Sequence, residues 1–194
     1  MTVKYFLFIR HGKTQSNVEQ RYAGDPREPL CAAGRHEVKA LAQSGVLPSV
    51  AALMSSPALR CRQTAELLFP HIPYSICQLA ETDFGIFKGK NAGELANSKE
   101  YGQWLDTGCT GSIPGGDDVE AFKKRCCEIF AQIAQKSCAG VTALVIHGGN
   151  IMAILERYVW PKEDFYTYQI PTCGFFLCQW ENSILKIKQK GGPA

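Results

Sequence analysis

The sequence predicts an α/β fold: a three-layer αβα sandwich around a mostly parallel sheet. Three observations point to it. Short apolar runs of strand length alternate with longer amphipathic patterns of helical period, the signature of βαβ units. The chain has 194 residues, enough for one sizeable core. No repeat, low-complexity tract or clear linker divides it, so a single domain is expected over residues 1–194.

Each element has a local reason. Val3 to Ile9 is short and dense in β-branched and aromatic residues, as a buried parallel strand should be. Ala32 to Gln43 carries Val38, Leu41 and Ala42 at helical spacing. Val50 to Met54 is a second apolar run, stopped by Ser55-Ser56-Pro57. A helix follows from Ala58 to Leu68, ahead of Pro70. Pro73 to Leu79 suits a third strand. Residues 85–117 are rich in glycine and polar residues, and a lid-like surface insertion is expected there. Val119 to Lys136 reads as a long amphipathic helix with Val119, Phe122, Cys126, Ile129 and Ile133 along one stripe. Val141 to Ile146 is another buried strand, followed by Gly148-Gly149 and a helix from Asn150 to Tyr158. Phe165 to Ile170, Gly174 to Trp180 and Ile184 to Ile187 are expected as closing strands, the late ones free to run antiparallel. The edge they leave is one on which a homodimer could form.

Composition narrows the function classes. Hydrophobic residues make up 45%, charged residues 20%, and the net charge is +3. These are ordinary globular values. The basic residues are dispersed apart from Lys123-Lys124-Arg125 and the Lys186 to Lys190 tail, so nucleic acid is not an expected partner. No apolar stretch nears the ~20 residues of a membrane span. No basic leader with a cleavage site precedes the first strand, so no secretory signal is expected. The nine cysteines form no Cys-x-x-Cys pair, and none is followed six residues later by arginine. A zinc site and a Cys-x5-Arg phosphatase cradle are therefore not expected, and reduced thiols in a cytoplasmic protein are.

The chemistry-bearing residues repeat one theme: a charged group where a strand gives way to a loop or helix. Arg10-His11-Gly12 follows the first strand. Ser55-Ser56-Pro57 leads to Arg60 on the first turn of a helix. Glu81 follows the third strand, and Ile146-His147-Gly148-Gly149 ends the fourth. In a parallel sheet such C-terminal ends share one edge, where ligands bind. Together they suit phosphoryl transfer. Neutral His11 can attack phosphorus. Arg10 and Arg60 can neutralise the phosphoryl oxygens, and His147 can donate to them. Glu81, given a raised pKa, can protonate the leaving oxygen and then deprotonate water. The N–H of Gly12 and the turn after it can add dipoles. Singly, each residue has an ordinary structural reading. His36 and His71 have only that.

The order of these residues resembles the histidine phosphatase superfamily, the phosphoglycerate-mutase-like group. Arg10-His11-Gly12-Lys13-Thr14 with Asn17 is similar to its first signature. Arg21, Gly24, Pro29-Leu30 and Gly34 follow its next block. Ser55-Ser56-Pro57, Arg60 and Thr64 match the second arginine motif, and Glu81 with Asp83-Phe84-Gly85 and Gly89 the acid loop. Pro114-Gly115-Gly116, Phe122 and Arg125 match the block before the long helix, and His147-Gly148-Gly149 the second histidine. The resemblance implies a six-stranded, mostly parallel sheet, His11 as phosphoacceptor and Glu81 as proton donor. It places Arg10, Arg60 and His147 around the phosphoryl group. Asn17, Gly12, Gly24 and Gly148 lie on its phosphate-binding side, with no metal and no cofactor. Four departures stand out: Cys31 for the usual threonine, Glu37-Val38 for Gln-Ala, Phe87-Lys88 for Trp-Glu, and Asp117-Asp118 for Glu-Ser.

Within that family the chain looks most like the α-ribazole phosphatases of cobalamin synthesis, through its Glu-x-Asp-Phe-Gly loop, Pro-Gly-Gly block and His-Gly-Gly ending. The expectation is a metal-independent phosphomonoesterase acting on a small phosphorylated metabolite. The alternative is a phosphoglycerate mutase, disfavoured by the short, arginine-free segment from Thr82 to Pro114. A non-catalytic phospholigand-binding protein is disfavoured because all five reactive residues are present. Phe84, Phe87, Tyr101 and Trp104 are expected either to line an aromatic pocket or to pack the insertion onto the body.

Overall fold

The computed structural model describes residues 3–193. Its elements are β1 (Lys4–Arg10), α1 (Gln15–Val18), α2 (Ala32–Gln43), β2 (Ala52–Ser55), α3 (Leu59–Leu68), β3 (Tyr74–Ile76), α4 (Ala92–Leu95), α5 (Lys99–Asp106), α6 (Val119–Lys136), β4 (Gly140–Ile146), α7 (Gly148–Tyr158), β5 (Phe175–Glu181) and β6 (Ile184–Gly191). The strands form one six-stranded sheet in the order β3-β2-β4-β1-β5-β6. The first four in that order are mutually parallel, β5 runs antiparallel to β1, and β6 antiparallel to β5.

The period of two along β1 builds both cores. Phe6 and Phe8 face one side, with Leu144 and Ile146 of β4, Phe176 and Cys178 of β5, and the apolar faces of α6 and α7. Leu7 and Ile9 face the other, with Leu53, Ala143, Val145 and residues of α2 and α3. Every one of these strand residues is buried on its own face, so no amphipathic alternation is visible in the sequence. Helix α6 spans the predicted range, with Asp118 Oδ1 accepting from the Ala121 N–H at 3.0 Å as its cap.

Two strand expectations change. Pro73–Leu79 keeps only Tyr74–Ile76 as strand, because the chain leaves the sheet edge after the Cys77 N–H bonds Ser55 O at 2.9 Å. Phe165–Ile170 is not a strand. Phe165–Tyr168 form a 3-10 turn, whose period of three places Phe165 and Tyr168 together on the core while Tyr166 stays exposed. Their aromatic, β-favouring composition concealed that period.

Residues 85–117 carry two short helices, α4 and α5, and their own apolar cluster of Phe87, Leu95, Tyr101, Trp104 and Ile113. The ends of the segment are joined. Ile86 N–H bonds Pro114 O at 3.0 Å, and Asp117 N–H bonds Asp83 O at 2.9 Å. Gly85 sits at a φ of +47°, and any Cβ there would strike the backbone of Pro114 and Gly116. All nine cysteines are free thiols, and His36 and His71 are exposed. Among the described residues no helix is long and apolar enough to cross a membrane.

The topology creates the crevice. β1 and β4 are adjacent and parallel, with Arg10 in register with Ile146, yet the helices that follow them cover opposite faces. Ligands bind where the chain parts in this way.

Candidate active site

Five sequence-predicted groups converge at these strand ends. His11 follows β1, and its N–H bonds Ile146 O at 3.0 Å. His147 follows β4 as the N-cap of α7. Ser56 follows β2, with its N–H bonding Val145 O at 3.0 Å, and the turn after it delivers Arg60 on the first turn of α3. Glu81 arrives on the loop after β3. His11, Arg60 and His147 are buried, and Glu81 keeps 20% of its side chain exposed.

The hydrogen bonds fix the His11 tautomer. Its Nδ1 lies 2.8 Å from Gly12 O, an atom that can only accept, so Nδ1 carries the proton. Nε2 is left with a lone pair, and Arg60 Nε donates to it at 3.3 Å. Burial, then competition with His147 for a proton and the fixed charge of Arg60, hold the His11 pKa well below the ordinary histidine value. The ring is a neutral, aimed nucleophile.

His147 is held by two hydroxyl- and carboxylate-bearing neighbours. Ser56 Oγ lies 2.8 Å from Nε2, and Glu81 Oε2 lies 3.2 Å from Nδ1. Burial lowers the His147 pKa against the pull of Glu81. The neutral ring therefore gives its Nδ1 proton to the carboxylate and accepts from the serine. Arg60 Nη2, 3.3 Å from the same nitrogen and 3.9 Å from Glu81, adds its charge as a close contact.

Glu81 departs from expectation. Burial raises its pKa, but the Nδ1–H of His147 and the guanidinium of Arg60 oppose burial and bring it below the ordinary carboxylate value. In the free site it is an ionised carboxylate, not a loaded acid.

The remaining predicted residues divide. Arg10 lies at the site and lends Nη1 to Ile170 O at 2.7 Å, while its buried Nε has no partner among the described residues. Asn17 spends Oδ1 on capping α1 at the Thr14 N–H, 3.0 Å away, and lines the cavity. Gly148 opens α7 beside Arg10, ahead of the first intrahelical bond from Ile151 N–H to His147 O. Gly12 is a correction: its N–H is already given to Thr64 Oγ1 at 2.9 Å, and a Cβ there would strike Val38. Its role is close packing, not anion binding. Gly24 is also elsewhere, exposed on a second, smaller opening that meets the site from behind Arg60 and Glu81.

The main cavity, of about 420 Å³, starts at His11, Arg10 and Arg60 and runs outward between aromatic walls. Phe84 and Trp104 line it, whereas Phe87 and Tyr101 pack the insertion, so both expected roles occur. Tyr22, Phe122, Phe165 and Tyr166 join the wall. Sequence reasoning missed these as lining residues because their patterns read as loop, helix core or strand. It also missed the Ser56 bond to His147, for which only the serine's place in the second arginine motif was a signal.

His11, Glu81 and His147 offer ligand atoms within 4.8 Å of one another, a set that resembles a metal site. The guanidinium of Arg60 lies against all three and Arg10 acts on both histidines. That field repels a cation and attracts an anion with several oxygens.

Comparisons with known proteins bear on the family and the fold. The model of the histidine phosphatase superfamily (branch 1) matches residues 6–190. Among curated relatives, the Salmonella choleraesuis (strain SC-B67) protein named "Probable phosphoglycerate mutase GpmB" is 28% identical over 145 residues, 72% of this chain and 67% of its own length. A candidate alpha-ribazole-5'-P phosphatase of Escherichia coli K-12 superposes with a TM-score of 0.88 at 21% identity, covering 98% of this chain and 97% of that one. An alpha-ribazole phosphatase from Shigella flexneri gives 0.85 at 22%, covering 96% and 95%. At those identities the two structures speak for the fold.

Proposed function

We propose, from the premise that this chain belongs to the histidine phosphatase superfamily (branch 1), that it is a metal-independent phosphomonoesterase working through a phosphohistidine on His11. The observation that carries this is a neutral His11 whose protonated Nδ1 leaves the Nε2 lone pair facing Arg60, which donates to it in the empty site and is the group that would turn to the phosphoryl oxygens. The ester's phosphorus is attacked by Nε2 while Arg10 and Arg60 hold its oxygens, and His147, with its Nδ1–H on Glu81, keeps the carboxylate beside them. Glu81 is ionised before substrate binds, so the acid proton arrives with the phosphate monoanion and passes to the carboxylate. Glu81 then gives it to the departing alkoxide as the P–O bond breaks. In the second half Glu81 takes a proton from water as its oxygen attacks phosphorus, the P–Nε2 bond breaks with its electron pair returning to Nε2, and phosphate takes that proton from Glu81 and leaves as the monoanion.

The outer cavity supports an organic half that is flat, largely apolar and uncharged. Aromatic side chains form much of its wall, beside polar ones such as Ser16 and Gln169, and among the described residues Arg21 is the one lysine or arginine lining it beyond Arg10 and Arg60. Arg21 is already paired with Glu19 and Glu94. α-Ribazole 5'-phosphate, an aromatic base on a ribose with one phosphate, fits that description, and with it a place in cobalamin synthesis. The curated relatives favour a second reading, a phosphoglycerate mutase. That substrate pairs its phosphate with a carboxylate, for which the outer wall offers no unpaired lysine or arginine among the described residues. The test is a screen of phosphate release over a metabolite panel containing α-ribazole phosphate and 3-phosphoglycerate. Release from the first with no isomerisation of the second is expected. Mutase turnover of the second would overturn the hydrolase reading.

A further inference from the structure

We infer that Asn150 is a positioning residue that sets the reach of the proton-carrying pair Glu81–His147, an inference that rests on the hydrolase reading of this site. Asn150 is fully buried on the first turn of α7, where nothing in the reaction touches it. All of its polar atoms are used. Oδ1 accepts from the His147 N–H at 3.2 Å, and Nδ2 donates to Ala80 O at 2.9 Å and to Cys126 Sγ at 3.2 Å.

These bonds close a ring. Glu81 Oε2 meets His147 Nδ1 at 3.2 Å through side chains, and Asn150 joins the main chain of His147 to the main chain of Ala80, the residue before Glu81. The loop needs such a tie. After Cys77 leaves the sheet, the next main-chain anchor from elsewhere is the Asp83 N–H bond to Asp117 Oδ2 at 2.9 Å. Between them, among the described residues, the buried side chain of Leu79 anchors the segment by packing, and Asn150 supplies the hydrogen-bonded tie to its main chain at Ala80, next to Glu81. Capping alone does not explain the residue, because the cap uses only Oδ1. The amide Nδ2, pointed away from the helix at two acceptors, is the part a mere cap would lack. The third bond, to Cys126, anchors the amide to α6, so the ring is referenced to the core rather than to a loop.

A brace on the acid makes a distinct kinetic prediction. A general acid matters most when the leaving oxygen is basic. Asn150→Ala should lower kcat/KM, which reports the half-reaction up to the phosphohistidine, by about tenfold or more for an alkyl phosphate and by less than about threefold for nitrophenyl phosphate. In the Glu81→Gln background the same change should add less than about twofold, because its route of action is gone. Asn150→Ser, which keeps a small polar group on the helix, should show the same split and is read in place of Asn150→Ala if that variant does not fold. Equal losses on both esters, or losses that multiply with those of Glu81→Gln, overturn the inference. The reading of the site is tested apart from this, by trapping acid-labile phosphoenzyme in the unmodified protein. Its absence removes the phosphohistidine, while the ester split and the double variant still report whether Asn150 acts through Glu81.

Discussion

The two ends of the main cavity are built from different material. The phosphate end is made at the ends of strands. His11, Ser56 and His147 take their positions from N–H bonds into the ladder or from the strand they terminate, and Arg60 from the first turn of a helix. The organic end is made by connections. Trp104 and Phe84 come from the insertion and its approach, in or against the small cluster of Phe87, Leu95, Tyr101, Trp104 and Ile113, and Phe165 and Tyr166 come from a 3-10 turn. A backbone ladder fixes groups to within tenths of an ångström, as phosphoryl transfer requires. Aromatic walls on loops tolerate change. The reaction and the choice of substrate are therefore separable, and each can be altered without the other.

The largest effect belongs to the phosphate end. His11→Ala should reduce phosphate release from any monoester by about 10⁴-fold or more, since it removes the nucleophile itself. Substantial residual turnover would detach the chemistry from the strand ends. Glu81→Gln should cost about 10²- to 10³-fold with an alkyl phosphate and much less with nitrophenyl phosphate, measured as kcat/KM, which stops at the phosphohistidine. Identical losses would mean that Glu81 acts only as a charge.

The same end predicts a pH profile. Glu81, held below the ordinary carboxylate value, and His11, held below its ordinary value, keep one protonation state through the neutral range. What titrates is the substrate, whose second phosphate pKa is about 6. Raising pH removes the proton that Glu81 must borrow, so kcat/KM for an alkyl phosphate should fall about tenfold per unit above roughly pH 6. A profile flat to pH 8 would show that Glu81 is loaded from solvent instead. The smallest effect belongs to the organic end. Trp104→Ala should raise KM for an aromatic ester by about tenfold while leaving methyl phosphate nearly unchanged. Equal shifts for both would erase the division between the two ends.

The sequence was legible in the same division. Strand ends carry charged residues in recognisable order, so Arg10, His11, Arg60, Glu81 and His147 were all readable, as was the α/β architecture from its alternating periods. Asn150 was not, because a buried amide inside an apolar helix has no local mark; its partners Ala80 and Cys126 are remote in sequence. The ionised state of Glu81 was hidden for a related reason: it depends on His147 and Arg60, which only folding brings within reach. Gly12 misled in the other direction. A glycine after a histidine looks like an anion turn, and only the position of Thr64 shows that its N–H is taken.

The joined ends of residues 85–117 have an evolutionary consequence. With Ile86 bonded to Pro114 and Asp117 to Asp83, the segment leaves and re-enters the body at one point. Lengthening a loop whose ends are already clasped costs only about 0.6 kcal/mol per doubling. Descendants of this chain can thus exchange the whole stretch like a cartridge, long or short, and inherit a new appetite for substrates while the machinery below keeps its alignment.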